Sequence, residues 1–140
     1  MYYIDTSILA AYYCPEPLSE DAESLITNLE HPSISTLVEL ELFSAISRKT
    51  REGTILKTDG DRIVARLLSH IDGGFYNYLH IENHHYRLAR DWIGLFSTNL
   101  RTLDALHLAV ASTEELILAT ADKMLAKSAE TLGVQTLILG

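Results

Sequence analysis

The sequence predicts an α/β protein, a central parallel sheet covered by helices on both faces in three layers. Two observations carry that prediction. Short stretches rich in β-branched, aromatic and other apolar residues alternate along the chain with longer stretches of helical periodicity. Some of the short stretches are apolar at consecutive positions, the pattern of strands buried on both sides, as parallel strands between helices are.

Taken in order, Tyr2-Tyr3-Ile4 predicts the first strand, and the polar triplet Asp5-Thr6-Ser7 leads from it into a helix carrying Ile8, Leu9, Tyr12 and Tyr13. Cys14-Pro15-Glu16-Pro17 breaks that helix, because proline cannot continue one. Ser19 is placed as the cap of a second helix, with Glu20, Asp21 and Glu23 in its first turn and Ala22, Leu25, Ile26 and Leu29 on its apolar face. His31-Pro32 ends it, and Ser33-Ile34-Ser35 predicts the second strand. Thr36 to Thr50 forms a long helix with Arg48, Lys49 and Arg51 at its end and Gly53 just beyond. A further helix is expected from about Asp59 to Ile71, then a break at Gly73-Gly74 and a third strand within Phe75 to Ile81. Asn83 opens a helix through Trp92 and Phe96, whose spacing marks them as core. Thr102 to Ala111 is an almost wholly apolar helix. Leu116 to Thr120 is a buried strand, Ala121 to Leu132 a helix closed by Gly133, and Val134 to Leu139 the last strand.

The chain has 140 residues, 47% of them hydrophobic and 21% charged, which suits one globular domain over residues 1–140. Its one cysteine, Cys14, has no partner for a disulfide within the chain. A signal peptide is not expected, since no basic segment opens the chain and Asp5 interrupts the first apolar stretch. No apolar run approaches the ~20 residues of a membrane span, so a cytoplasmic protein is expected. The formal net charge of −8 argues against gripping nucleic acid through bulk positive charge. It leaves room for a nuclease whose acidic site takes up metal ions, and it suits a protein that meets a basic partner.

Four acids stand out. Asp5 follows the first strand, at the sheet edge where open α/β folds bind ligands, though a carboxylate there also suits capping of the next helix. On the long helix, Glu39 lies three residues after Thr36 at capping-box spacing. Glu41 instead faces Leu37, Val38, Ser44 and Ala45, and two positions on a helix separate it from the face of Glu39. Asp104 is alone on an apolar helix, so it must be paired, metal-bound or facing a cleft, His107 one turn on being the pairing candidate. Asp122 follows Thr120 at a helix start, where an acid also stabilises the helix dipole.

Together these segments resemble a known family. Asp5-Thr6-Ser7, Ser35-Thr36-Leu37 leading to Glu41 with Ser44-Ala45 and Arg48-Lys49 behind it, Arg101-Thr102-Leu103-Asp104-Ala105-Leu106-His107-Leu108-Ala109, and Thr120-Ala121-Asp122-Lys123 are similar to the PIN domain. Within that family they resemble the VapC ribonuclease toxins of type II toxin–antitoxin pairs. The resemblance covers nearly the whole chain in order, is most specific around Asp104, and between Thr54 and Asn99 extends only to the pattern. It implies a sheet of order 3-2-1-4-5 with the acids meeting at its carboxyl edge. It further implies that Asp5, Glu41, Asp104 and Asp122 hold Mg²⁺ or Mn²⁺ for hydrolysis of RNA phosphodiesters, with Thr6, Ser7 and Thr120 as supporting hydroxyls. A homodimer and an antitoxin whose basic tail enters the site are implied as well.

Other functions are less well served. A signalling receiver domain needs an aspartate at the end of its third strand, and Phe75 to Ile81 runs into Glu82-Asn83 instead. A catalytically silent domain of the same fold, its acidic pocket only docking a basic partner, would use the same four acids. His80, His84 and His85 cluster in sequence but lack a cysteine partner, and packing or surface roles suit them better than zinc.

Overall fold

The computed structural model describes residues 1–140. Five strands, β1 (Tyr2–Ile4), β2 (Ser33–Ser35), β3 (Asn77–Leu79), β4 (Ile117–Thr120) and β5 (Thr136–Ile138), form one sheet in the order β3-β2-β1-β4-β5. Every neighbouring pair is parallel. Seven helices, α1 (Thr6–Tyr13), α2 (Ser19–Thr27), α3 (Thr36–Arg51), α4 (Lys57–Asp72), α5 (Asn83–Ile93), α6 (Thr102–Thr113) and α7 (Lys123–Thr131), complete the three layers. Parallel strands need crossovers, and helices supply them. The predicted fold class and strand order are those observed.

The sheet grows from β1 in two directions. The chain first builds outward through β2 and β3, then returns to lay β4 on the other side of β1. The strand order therefore reverses between β1 and β4, the crevice where folds of this kind take ligands. Register fixes what stands at its mouth. Ile4 is opposite Ala119, and the Asp5 amide donates to the Ala119 carbonyl at 3.1 Å, so Asp5 and Thr120 leave the sheet side by side. On the other flank β2 ends at Ser35, whose hydroxyl accepts from the Val38 amide and starts α3.

The core explains why these strands stay short yet firm. Tyr3, Ile4, Ile8, Leu9, Ile34, Val38, Leu42, Leu108 and Leu118 are wholly buried, and each such side chain contributes about 1.5–3 kcal/mol. Pro15 and Pro17 sit in the break between α1 and α2 as expected. Two sequence expectations are corrected. Ser19 opens α2 but does not cap it; its hydroxyl donates to the Cys14 carbonyl and accepts from the Glu16 amide, tying down the Pro15 turn instead. The helix from Asn83 stops at Ile93, with Gly94 as its cap, so Phe96 lies beyond it and is 88% exposed, whereas Trp92 packs into the core. No helix is long and apolar enough to cross a membrane.

Candidate active site

Four elements bring the expected acids to the carboxyl edge of the sheet. Asp5 follows β1, Glu41 lies in the second turn of α3, Asp104 in the first turn of α6, and Asp122 between β4 and α7. Glu41 and Asp104 line one cleft of about 600 Å³ with Ile93, Leu100, Arg101, Thr102 and Leu103. Asp5, only 3% exposed, and Asp122 are not part of that lining.

Asp5 is held by its neighbours. Ser7 Oγ donates to Oδ1 at 2.6 Å and Thr120 Oγ1 to Oδ2 at 2.5 Å, and the Ile8 amide adds a third bond at 3.2 Å. Each hydroxyl has one proton and spends it on Asp5. As acceptors, Ser7 Oγ takes the Ala121 amide and Thr120 Oγ1 the Asp122 amide, both at 2.9 Å. The two hydroxyls thus tie the start of α1 to the end of β4, and the carboxylate of Asp5 to the backbone of Asp122. Burial raises the Asp5 pKa above its usual range despite these donors. Asp5 is also the cap of α1, so the capping and site readings are not exclusive. The same holds at Asp122, whose Oδ1 accepts from the Met124 and Leu125 amides at 2.9 and 3.1 Å.

Glu41 is positioned from two sides through one oxygen. Thr6 Oγ1 and His107 Nε2 both lie 2.6 Å from Oε1, which leaves Oε2 without a protein hydrogen bond. Burial alone would raise its pKa, but the His107 bond and charge, with the Thr6 hydroxyl, hold it below the ordinary glutamate value. Behind the ring, His107 Nδ1 meets the Tyr3 hydroxyl at 2.7 Å, and Tyr3 meets Ser35 Oγ at 2.7 Å. Burial raises the Tyr3 pKa far above its usual value, so it keeps its proton. Nε2 donates to Glu41 in either charge state of the ring; beside a neutral imidazole Tyr3 donates to Nδ1 and Ser35 to Tyr3, and beside an imidazolium both of those bonds reverse. Ser35 also accepts the Val38 amide. A continuous chain therefore runs from the start of α3 through the sheet to Glu41.

His107 and Tyr3 were not singled out from the sequence as site residues. A strand-centre tyrosine reads as core, and the position of His107, one turn from Asp104, suggested the wrong partner. The histidine turns to Glu41 and Tyr3, leaving Asp104 with one loose contact, Arg101 Nε at 3.9 Å. Burial, then the charge of Asp122, raises the Asp104 pKa, with Arg101 and His107 opposing. Like charge gathered at a half-open carboxylate is what a bound cation would relieve. Glu39 is also clarified. Ser35, not Thr36, caps α3, so no capping box reaches Glu39; its carboxylate instead accepts the Tyr78 hydroxyl, away from Glu41.

By type the donors suit a hard cation, although no three of these carboxylates lie within 4.8 Å of one another. All four groups are carboxylates, and Mg²⁺ or Mn²⁺ takes oxygen ligands, a few from protein and the rest from water or phosphate. The histidines do not make a rival centre with His80. His84, His85 and Glu114 bring ligand atoms within 4.8 Å of one another. However, His85 Nδ1 accepts the Glu82 amide at 2.9 Å, so the proton of the neutral ring sits on Nε2. That nitrogen points at Glu114, 3.6 Å away, as a donor without a free lone pair. The ring serves to cap α5.

No curated protein matches the chain. Among solved structures, it is similar to FitAcB from Neisseria gonorrhoeae, with a TM-score of 0.74, 19% identity, and 98% of this chain and 96% of that one covered. It is also similar to VapC20 from Mycobacterium tuberculosis, a toxin that cleaves the sarcin–ricin loop, with a TM-score of 0.76, 16% identity, and coverage of 91% and 95%. VapBC2 from Rickettsia felis, solved on a DNA fragment of its promoter, aligns with a TM-score of 0.71, 16% identity, and coverage of 99% and 98%. At such identities the likeness is one of fold. The sequence model of the PIN domain matches residues 2–130, nearly the entire chain with every acid above inside it, and the protein belongs to the PIN domain family.

Proposed function

We propose that residues 1–140 form a single PIN domain that is a metal-dependent endoribonuclease, the toxin of a toxin–antitoxin pair acting in the cytoplasm. The observation that carries this reading is the carboxylate cleft at the β1–β4 reversal, with Glu41 and Asp104 exposed to it and two dedicated hydroxyls steadying Asp5. Asp5, Glu41, Asp104 and Asp122 would hold Mg²⁺ or Mn²⁺. Such an ion would supply neutralisation of phosphate charge and a lowered pKa for an attacking water.

The chain's own residues have separable tasks. Thr6 and His107 fix Glu41 so that Oε2 is presented to the cleft and stays ionised. Ser7 and Thr120 orient Asp5, and through the Ala121 and Asp122 amides they set the position of the Asp122 carboxylate. Asp104, on the outer wall, faces incoming phosphate. Nothing in the site calls for a covalent nucleophile: Cys14 is buried, and burial raises its pKa.

The similarity to toxin structures, one of them a toxin–antitoxin complex from Klebsiella pneumoniae, supports a cognate antitoxin as partner; we propose that its basic tail enters the cleft and that the working form is a homodimer. The net charge of −8 favours such a partner. The second reading, a silent domain that only docks a basic chain, draws on the same cleft and on the Arg101–Asp104 contact, a guanidinium already beside the carboxylate. Expression in a bacterial host separates the two. The nuclease reading expects growth arrest that Asp104→Asn relieves with the protein still folded. Arrest unchanged by Asp104→Asn would count against it.

A further inference from the structure

Beside the acidic cleft, the segment between α5 and α6 and the outer face of α7 enclose a second groove of about 330 Å³. Its walls are Phe96, Ser97, Thr98 and Asn99 on one side and Met124, Lys127, Ser128 and Thr131 on the other. The two depressions adjoin. Leu100 and Arg101, next along the segment, line the acidic cleft, and Met124 donates its amide to Asp122.

We propose that this groove binds a nucleotide flanking the scissile phosphate of single-stranded RNA, Phe96 stacking on the base and Lys127 pairing with a phosphate. The proposal rests on the ribonuclease reading above and adds where the substrate strand lies. Three features support it. Phe96 is the most exposed of the large apolar side chains, at 88%, and its backbone is held at φ 55, a region bulky residues avoid. The positive φ is that of a helix exit, shared with Glu115 after α6, so the exposed ring itself is the feature that points outward to a ligand. Next, none of the eight lining residues is acidic and one is a lysine, in a chain of net charge −8. Local chemistry here opposes the overall charge and suits a phosphate. Finally, Ser97, Thr98, Asn99, Ser128 and Thr131 bring hydroxyls and an amide to the same lining, hydrogen-bond partners for base edges or sugar. An aromatic platform with a nearby cation and polar rim is how proteins hold single strands. A helix of a second copy or an antitoxin segment would need an apolar lining, and this one is mostly polar.

The test uses full-length protein in an Asp104→Asn background, so that RNA survives. Fluorescein-labelled oligouridylate and oligoadenylate are titrated in Mg²⁺ over a range of salt. Phe96→Ala and Phe96→Leu should each weaken binding about tenfold, while Phe96→Trp keeps it, because stacking needs a ring and not merely bulk. Lys127→Gln should lower the slope of log affinity against log salt by about 0.7, one phosphate contact on a single strand. Melting temperatures should not move. Full binding by Phe96→Leu would mean apolar packing, as by a protein partner, and would overturn the proposal; so would unchanged binding by Phe96→Ala. In the cleaving protein, Phe96→Ala should raise KM with kcat kept. Cleavage with unaltered KM would remove the subsite and leave the ribonuclease reading standing. A parent that neither binds nor cuts RNA would end both.

Discussion

At the scale of single residues, the account turns on which carboxylates are aimed and which are merely near. Glu41 and Glu39 share a helix and a charge, yet one receives Thr6 and His107 and the other Tyr78. Glu41→Gln should therefore abolish most cleavage, whereas Glu39→Gln should leave it within a few-fold of wild type; equal losses would mean the cleft is not where the chemistry occurs. The separation of these two faces was legible in the sequence, because helical spacing alone sets it. The partner of Glu39 was not, since Tyr78 comes from a strand 39 residues later and no local rule pairs them. His107 failed for the same reason. Its nearest acid in sequence is Asp104, but its bonds run to Tyr3 and Glu41, 104 and 66 residues away.

At the scale of elements, strands and helices were readable wherever burial and periodicity coincide, and their ends blurred where a cap or a single glycine decides. Helix α5 ends at Ile93 with Gly94 as its cap, two residues before Phe96, and helical spacing carried through it placed an exposed ring in the core. The start of α5 offers a sharper test. His85 occupies the third helical position, and its Nδ1 accepts the Glu82 amide, a bond that protonation would destroy. Burial first, then the charge of His84, lowers its pKa below 6.5, with Glu114 and Glu82 opposing. The unfolded chain then binds the proton more readily. The contribution of this group to stability is therefore complete above about pH 6.5 and declines as pH falls from there toward the folded value. His70, beside Tyr13 and also lowered by burial, has the same sign. Glutamine at position 85 can take the same amide bond without titrating. Wild type should lose melting temperature between about pH 7.5 and pH 5.5, and His85→Gln should lose less over that range. Parallel curves would show that the cap does not depend on the ring's charge state.

At the scale of the whole molecule, the parallel sheet brings together acids that are up to 117 residues apart in sequence, Asp5 and Asp122 among them. Each is fixed at a strand end or on a helix, so none relaxes its repulsion without moving an element. A cation bound only by the folded state adds RT ln(1 + [L]/Kd), ~2.7 kcal/mol at a hundred times Kd. Wild type should accordingly melt higher in Mn²⁺ than in chelator. Asp104→Asn removes a repelling charge and a ligand together, and the one cation within 4 Å of Asp104, Arg101, is 3.9 Å away on an 87% exposed side chain. It should melt at or above wild type in chelator and gain little from Mn²⁺. A clear loss of stability in chelator would mean that Asp104 supports the fold.

The central claim is hydrolysis of RNA by the carboxylate cleft, and cleavage by purified, antitoxin-free protein tests it most directly. Wild-type protein should cut a structured RNA in Mg²⁺ or Mn²⁺ and stop on chelation, and Asp104→Asn prepared in parallel should be inactive throughout. Cutting that survives thorough chelation, or that persists at wild-type rate in Asp104→Asn, would contradict the account.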